Sequence, residues 1–297
     1  MKKIYKLTLA ALAFVIIFTA SNLKAQDSQN AKIGLTVGLD YISNYIYRGM
    51  YYNQGDTMNG GMFSPYVSYN VLNTGLTLGI RGEMDEKKIW NSKDESLYYE
   101  DRDYDSINFN INYMYNLKEA VTFNLGSWYC RNKTLHNDVD SYNPSYFDFY
   151  FSARVDAFPL TPMLAVTYSY FTDNDFARGF DVSEIYGTGS GKNGDLYVQL
   201  GISHSFELDD ETYLDLDAIV GWYDKNAYED RLITPSKSND ISDIDLSAGL
   251  TTTVDMLTFS TSFHYVIVPG TQYKYLWGST TRDIHKFYAK LGVSCSI

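Results

Sequence analysis

Apolar and polar residues alternate with a period of two along most of the chain, which is the pattern of half-exposed β-strands. Segment 107–113 shows it most clearly, because apolar or aromatic residues occupy its odd positions and three Asn occupy the even ones. Twelve such segments can be delimited, at approximately 32–47, 61–71, 75–84, 104–116, 120–131, 145–157, 162–172, 195–207, 212–223, 241–252, 256–267 and 283–297. The pattern therefore predicts an all-β chain of about 12 strands.

The connections between these segments alternate strictly between short and long. The short ones lie at 72–74, 117–119, 158–161, 208–211 and 253–255, and the long ones at 48–60, 85–103, 132–144, 173–194, 224–240 and 268–282. Transmembrane antiparallel up-and-down β-barrels have an even number of strands, short periplasmic turns and longer extracellular loops. The alternation predicts this fold, with both chain ends at the periplasmic side.

The apolar faces distinguish a membrane barrel from a soluble β-sandwich, which would also show alternation. Aromatic residues lie near both ends of these faces, with Phe63, Tyr170 and Trp222 toward the long connections and Tyr69 and Tyr115 toward the short ones. Aliphatic residues occupy the middle. Two aromatic girdles around an aliphatic band are typical of a barrel in lipid, whereas a sandwich places its largest residues at mid-strand.

The first residues have the three-part layout of a secretory signal peptide. Lysines follow the initiating Met, an apolar run covers 7–18, and small residues precede a cut after Ala25. The apolar run is shorter than the about 20 residues that a spanning helix requires. We therefore expect a signal peptide at 1–25 and a single outer-membrane β-barrel domain at 26–297.

Composition and charge narrow the class of partner. The chain has 28 Tyr, 16 Phe, 21 Gly and 6 Pro, which suits strands separated by turns. Its 24 basic and 36 acidic residues give a net charge of −12, and loss of four lysines with the signal peptide would lower this to −16. Such acidity disfavours nucleic acid as a partner and fits a channel or surface that meets cations.

One short motif resembles a known family. The segment after the first apolar alternation reads Ser43-Asn44-Tyr45-Ile46-Tyr47-Arg48-Gly49. It is similar to the Ser-Asp-Tyr-x-Phe-Arg-Gly signature of the TorF-type porin family, with Asn44 where Asp is usual. The resemblance covers mainly the N-terminal third of the mature chain. It implies a small outer-membrane porin and no catalytic residues.

Strand parity assigns an excess of acids to the barrel lumen. The inward acids are Asp40, Glu83, Asp148, Asp156, Asp215, Asp217, Asp243 and Asp245, and the inward bases are Arg48, Arg81, Arg154 and Lys290. A narrow channel of low dielectric focuses such a field, and carboxylate-lined pores favour cations. We expect Arg48 and Arg81 to face Glu83, Asp148, Asp243 and Asp245 in the outer half. The alternative is that the charges only neutralise one another inside a filled barrel.

Two contacts follow from the strand layout. The first and last strands must close the barrel, and Asp40 and Lys290 both point inward near mid-height, so we expect them to meet. The turn at 253–255 places His264 opposite Asp243 and Asp245. A His between carboxylates can act as a pH-sensitive spot, although it can equally be a solvated wall residue.

The two cysteines are expected to be free thiols. Cys130 lies near a long connection and Cys295 near the periplasmic end, on opposite sides of a hydrophobic band about 25 Å tall. A disulfide requires Cα atoms within about 7 Å. The chain offers no metal-binding or cofactor-binding motif.

Two other function classes remain open at this point. An outer-membrane lipid hydrolase would need a Ser and a His in contact, and Ser203-His204-Ser205 is the one suggestive string. Adjacent strand residues face opposite ways, so His204 would point to lipid and its neighbours inward, which argues against an enzyme. A surface adhesin or structural barrel, acting through its extracellular loops, is the other alternative.

The sequence thus predicts a porin-like channel of the cell outer membrane for passive diffusion of small hydrophilic solutes, leaning toward cations. Expected partners are outer-membrane lipids and lipopolysaccharide, small solutes or cations, and the barrel-assembly machinery. No nucleic acid partner and no cofactor are expected.

Overall fold

A computed structural model describes residues 34–44, 46–47, 50–51, 61–71, 74–85, 106–118, 120–132, 146–171, 195–223, 240–269 and 284–297. Across these residues the strands are β1 (Leu35–Ile42), β2 (Ile46–Tyr47), β3 (Met50–Tyr51), β4 (Met62–Val71), β5 (Leu76–Asp85), β6 (Ser106–Leu117), β7 (Val121–Asn132), β8 (Tyr146–Val155), β9 (Thr161–Phe171), β10 (Asp195–Asp209), β11 (Thr212–Tyr223), β12 (Asp240–Val254), β13 (Leu257–Val268) and β14 (Ile284–Ser296). The predicted signal peptide and the interiors of the long connections lie outside the described residues.

Twelve of these strands form one closed barrel. From β4 to β14 each strand pairs antiparallel with the next, and β1 closes the ring between β14 and β4. The two-residue strands β2 and β3 pair only with each other. The prediction of a 12-stranded antiparallel barrel is confirmed, and each predicted segment overlaps one barrel strand.

The outer surface of the barrel is apolar. Phe287 is 71% exposed, Phe263 64% and Leu125 61%, which is the reverse of a soluble protein with a packed core. Aromatic rings on neighbouring strands contact each other near the ends of the strands, as at Tyr129 and Phe147, whose centroids are 4.6 Å apart. This surface matches the predicted girdles and excludes the sandwich. Within the described residues, no helix is long and apolar enough to cross a membrane.

Five short turns and both ends of the described barrel lie at the same end. The backbone N–H of Gly34 donates to the carbonyl of Ile297, so the first and last described residues are joined there. Lys118 and Asp255 have φ values of 51° and 57°, which tight turns between antiparallel strands require. This end corresponds to the predicted periplasmic side.

The first strand ends earlier than predicted. Alternation suggested a strand to residue 47, but β1 stops at Ile42. The next residue, Ser43, still receives a hydrogen bond from the N–H of Ala289, through its side-chain oxygen at 2.9 Å. The Asn44 amide donates to the carbonyl of Phe287 at 3.2 Å. The backbone N–H of Ser43 still donates to the carbonyl of Ala289 at 2.9 Å, but the bond in the other direction uses the Ser43 side chain, and the regular pairing with β14 ends here.

Pro65 interrupts the pairing of β4 with β5 without breaking the strand. The register runs from Phe63 opposite Met84 to Tyr66 opposite Arg81, with no pairs between. Proline has no N–H to donate there. The hydroxyl of Ser64 donates instead to the carbonyl of Gly82 at 3.1 Å, which compensates for the gap.

The free-thiol prediction is confirmed. Cys130 and Cys295 are both reduced and buried. Cys130 lies in the outer half of β7 and Cys295 at the periplasmic end of β14.

Candidate functional site in the barrel lumen

The predicted lumen residues lie on the inner wall, where their outward neighbours are exposed apolar side chains. Asp40, Glu83, Asp148 and Asp243 are each only 4–6% exposed. Arg81, Arg154, Asp156, Asp245, His264 and Lys290 occupy the same face of their strands. Arg48 lies outside the described residues.

A compact ion cluster lies where the barrel closes. Asp40 Oδ2 is 2.9 Å from Arg81 Nη2 and 3.3 Å from Lys290 Nζ. Arg81 also donates to the Ser64 hydroxyl at 3.1 Å and lies over the ring of Tyr66. We call Asp40, Arg81 and Lys290 the seam cluster. It joins β14, β1 and β5 across the closing strand pair.

Asp40 and Lys290 are in contact, as expected, but they are diagonal neighbours on β1 and β14 and not direct cross-strand partners. The register pairs Asp40 with Gly292 and Lys290 with Ile42. A Cβ on Gly292 would lie 2.8 Å from Asp40 Oδ1, so the glycine leaves room for the carboxylate. Arg81 bonds Asp40, an acid that was not among the four that we expected it to face. Arg81 reaches it across β4, over Ser64, which the sequence alone did not indicate.

Two acids near the outer ends of their strands are held by hydroxyl groups. Ser106 donates to Glu83 Oε2 at 2.6 Å, and Ser169 donates to Asp148 Oδ1 at 2.5 Å. All four side chains are at least nine-tenths buried. Each carboxylate is therefore held in orientation by a hydroxyl donor on the neighbouring strand.

Four aspartates form a regular series on the wall of β11 and β12. The register pairs Gly221 with Asp243, Ile219 with Asp245, Asp217 with Ser247 and Asp215 with Gly249. Each of four successive inward positions therefore carries one carboxylate, the upper two from β12 and the lower two from β11. We call Asp243, Asp245, Asp217 and Asp215 the aspartate ladder. At about 3.4 Å per residue it extends about 20 Å along the strands.

A β-bulge and a glycine position Asp243, the outermost member of the aspartate ladder. Ser242 is the extra residue where the β11–β12 register shifts, and its hydroxyl donates to Asp243. Tyr197 donates to the same carboxylate at 3.1 Å from across β11. A Cβ on Gly221 would overlap both the Tyr197 hydroxyl and the Asp243 carboxylate. Only glycine lets the two side chains meet there.

His264 lies beside the second position of the ladder. Its Nδ1 is 3.1 Å from Asp245 Oδ2, and its Nε2 is 3.0 Å from the Ser262 hydroxyl. The ring stacks on Tyr288 at 4.3 Å with an interplanar angle of 4°. The predicted contact with Asp245 is confirmed, whereas the hydrogen bonds to Asp243 come from other side chains. Sequence reasoning missed Tyr288, although its parity with Lys290 places it inward.

A cavity of about 410 Å³ opens beside the ladder, inside the barrel. The aromatic residues of its lining that share the inward parity of their strands are Trp128, Tyr150, Tyr197 and Tyr288, and Phe151 also contributes to the lining. Its described lining also contains Asp148, Asp243, Asp245, Asn110 and Gln199, and no Lys or Arg. Parity could have placed each of these side chains inward. Their convergence depends on the β6–β14 registers and on the bulge, which the sequence does not reveal.

Two further predicted lumen residues, Arg154 and Asp156, form an ion pair at the periplasmic end. Arg154 Nε is 2.7 Å from Asp156 Oδ1, and Thr122 donates to the other oxygen at 2.7 Å. The Arg154 side chain is 52% exposed, so this pair is accessible to solvent. Outside the barrel, His204 Nδ1 lies 2.5 Å from the carbonyl of Pro159.

Comparison with known proteins gives the fold a context. No family model matches the chain, and no curated protein matches its sequence. The structure is similar to the NanC porin, with a TM-score of 0.50, 12% identity, and coverage of 89% of this chain and 100% of that one. The fold is a porin-like outer-membrane barrel. An outer membrane channel from Pseudomonas putida F1 is similar at a TM-score of 0.50 and 11% identity, over 91% of this chain and 98% of that one. At such identities the likeness establishes the fold alone.

Proposed function

We propose that the protein is a channel of the cell outer membrane through which small hydrophilic solutes diffuse passively, with a preference for cations. The exposed apolar band supports the membrane location, because burying it in lipid removes its contact with water. Outer-membrane lipids and lipopolysaccharide would surround the barrel, which the barrel-assembly machinery would insert. The proposal includes no catalytic step, and it retains a relationship to the TorF-type porins suggested by residues 43–49.

The aspartate ladder is the observation that carries the cation preference. Its lower members, Asp215 and Asp217, are partly exposed to the lumen, and Asp217 accepts a hydrogen bond from the Ser247 hydroxyl at 3.2 Å. A hydroxyl donor orients a carboxylate without cancelling its charge. Successive carboxylates about 7 Å apart offer a cation a series of shallow sites, which permits both entry and release.

The seam cluster contributes less to this preference. Its single carboxylate lies between two cations, so the cluster carries a net positive charge on its own. Selectivity therefore depends on whether the negative charge of the ladder outweighs the positive charge of the seam cluster.

The direct test is the reversal potential of the refolded protein in a planar bilayer under a KCl gradient. We expect discrete conductance steps with a reversal potential of the sign for K⁺ permeation. Anion preference would refute the role of the ladder. An absence of steps from protein that migrates as a folded barrel would refute the channel.

A further inference from the structure

The cavity beside the ladder has the composition of a binding site rather than of a bare pore wall. Its volume of about 410 Å³ falls in the range of small-molecule sites, roughly 300–1,000 Å³. Such sites combine apolar and aromatic walls with a few polar groups that set orientation. Here the walls are Trp128, Tyr150, Tyr197 and Tyr288, and the polar groups are carboxylates and amides.

The chemistry of this lining points to a positively charged ligand. Aromatic faces attract an ammonium or guanidinium group, and Trp does so most strongly. Asp245 provides a carboxylate on the same wall, held in place by His264 and by the Tyr288 hydroxyl at 3.5 Å. An anionic ligand would meet carboxylates here, and the described lining offers no Lys or Arg to pair with it.

A bare metal ion fits the site less well than an organic cation. Within the described residues, no three His, Cys, Asp or Glu side chains converge closely enough to hold a metal ion. The carboxylates of the cavity are instead spread among aromatic rings. This spacing suits a ligand that has both a charge and an apolar body.

The site is also held firmly in shape. Tyr197 packs against Tyr223, with ring centroids 4.6 Å apart and the planes tilted by 37°, and it donates to Asp243. Tyr150 lies over Gly126, where a Cβ would overlap its ring. Side chains fixed by packing and hydrogen bonds before the ligand arrives lose little entropy on binding.

We propose that this cavity is a binding subsite for small organic cations, amines or guanidinium compounds with an apolar portion, which pause there during passage. The inference rests on the proposed channel function and specifies its solute class. Trp128 and Tyr288 would contact the cationic group, and Asp245 would pair with it. Asn110 and Gln199 would accept hydrogen bonds from N–H donors.

The test is titration calorimetry of the refolded full-length mature barrel in detergent, with benzyltrimethylammonium as the probe. Benzoate and maltose serve as the anionic and neutral comparison ligands. We expect saturable binding of the cation alone, about tenfold weaker in Trp128→Leu and at least tenfold weaker in Asp245→Asn. The matched controls are Trp222→Leu, on the lipid-facing side, and Asp255→Asn, in a periplasmic turn that tolerates Asn at positive φ. Both should bind as the wild type does.

Three results would overturn the subsite. They are binding of maltose in preference to the cation, equal loss in the control variants, or no saturable binding by folded protein. Calorimetry does not depend on conduction, so it separates this inference from the channel. A cation-selective channel that binds no benzyltrimethylammonium would leave the proposed function standing and refute the subsite alone.

Discussion

The carboxylate of the seam cluster and those of the aspartate ladder have different bonding partners. At the seam, Asp40 is bonded to both Arg81 and Lys290, so charged groups of opposite sign are held together. On the wall of β11 to β13, Asp217 and Asp245 are bonded to a hydroxyl or an imidazole. The first arrangement stabilises the closure of the barrel. In the proposed channel, the second would leave negative charge available to a permeating solute. The role of a carboxylate would then depend on its position more than on the number of carboxylates.

Removal of Asp40 should give the largest loss of stability. In Asp40→Ala, Arg81 and Lys290 would remain beside each other without their shared carboxylate. Since Asp40 is nearly buried but both bases are partly exposed, we expect a loss of about 2 kcal/mol in the free energy of unfolding. Urea unfolding in lipid vesicles measures it.

The periplasmic pair provides the control for this prediction. Asp156→Ala also removes the carboxylate of an Arg pair, but the Arg154 side chain is 52% exposed. Solvent screens such a pair, so its loss should cost less than about 1 kcal/mol. Equal losses in the two variants would show that the seam cluster has no special structural role.

A smaller effect is expected at the outer end of the seam. Ser43→Ala removes the side-chain oxygen that accepts from the N–H of Ala289. One hydrogen bond of this kind contributes about 1 kcal/mol, so the end of β1 should open more often. Hydrogen exchange at the Ala289 amide should speed up, while Ser43→Thr should exchange as the wild type does. Unchanged exchange in Ser43→Ala would mean that water replaces the hydroxyl without cost.

The smallest effect is expected at Asp209, in a periplasmic turn beyond the lipid-embedded part of β10. The backbone N–H of Glu211 donates to its carboxylate at 2.9 Å and lowers the pKa of Asp209. A lowered pKa stabilises the folded state above the unfolded value of the carboxyl, and this is lost as the pH falls through the folded value. Asp209→Asn should therefore be slightly less stable than the wild type at pH 7 and equal to it in acid. If Asp209→Asn remained less stable than the wild type in acid, the loss of stability would come from the turn geometry and not from the charge of the carboxylate.

The sequence predicted the barrel more completely than it predicted the lumen. Alternation determines which face of a strand meets lipid. A shift of one residue in register would turn every apolar side chain of that strand from the lipid to the lumen. It therefore located 12 strands and placed Asp40, Asp245 and Lys290 inward. Contacts across the lumen depend on how far each strand is shifted against its neighbour, which the pattern does not contain. Arg81 with Asp40, and Tyr197 with Asp243 over Gly221, are such contacts.

The end of β1 shows a second limit of the pattern. Alternation continued to residue 47, yet β1 ends at Ile42, and beyond it the side chains of Ser43 and Asn44 take part of the hydrogen bonding to β14. Local competition of this kind between side chain and backbone has no signature in hydrophobic periodicity. Hydrophobic periodicity also does not reveal the bulge at Ser242, which brings a further hydroxyl to Asp243.

The most direct measurement compares reversal potentials in a KCl gradient for two double variants. Asp215→Asn with Asp217→Asn removes two charges from the ladder, and we expect the cation-to-anion permeability ratio to fall at least about twofold. Asp40→Asn with Arg81→Gln removes one charge of each sign from the seam cluster and should leave the ratio nearly unchanged. An unchanged ratio in the ladder variant, or an equal fall in both, would contradict the proposal that the ladder determines ion preference.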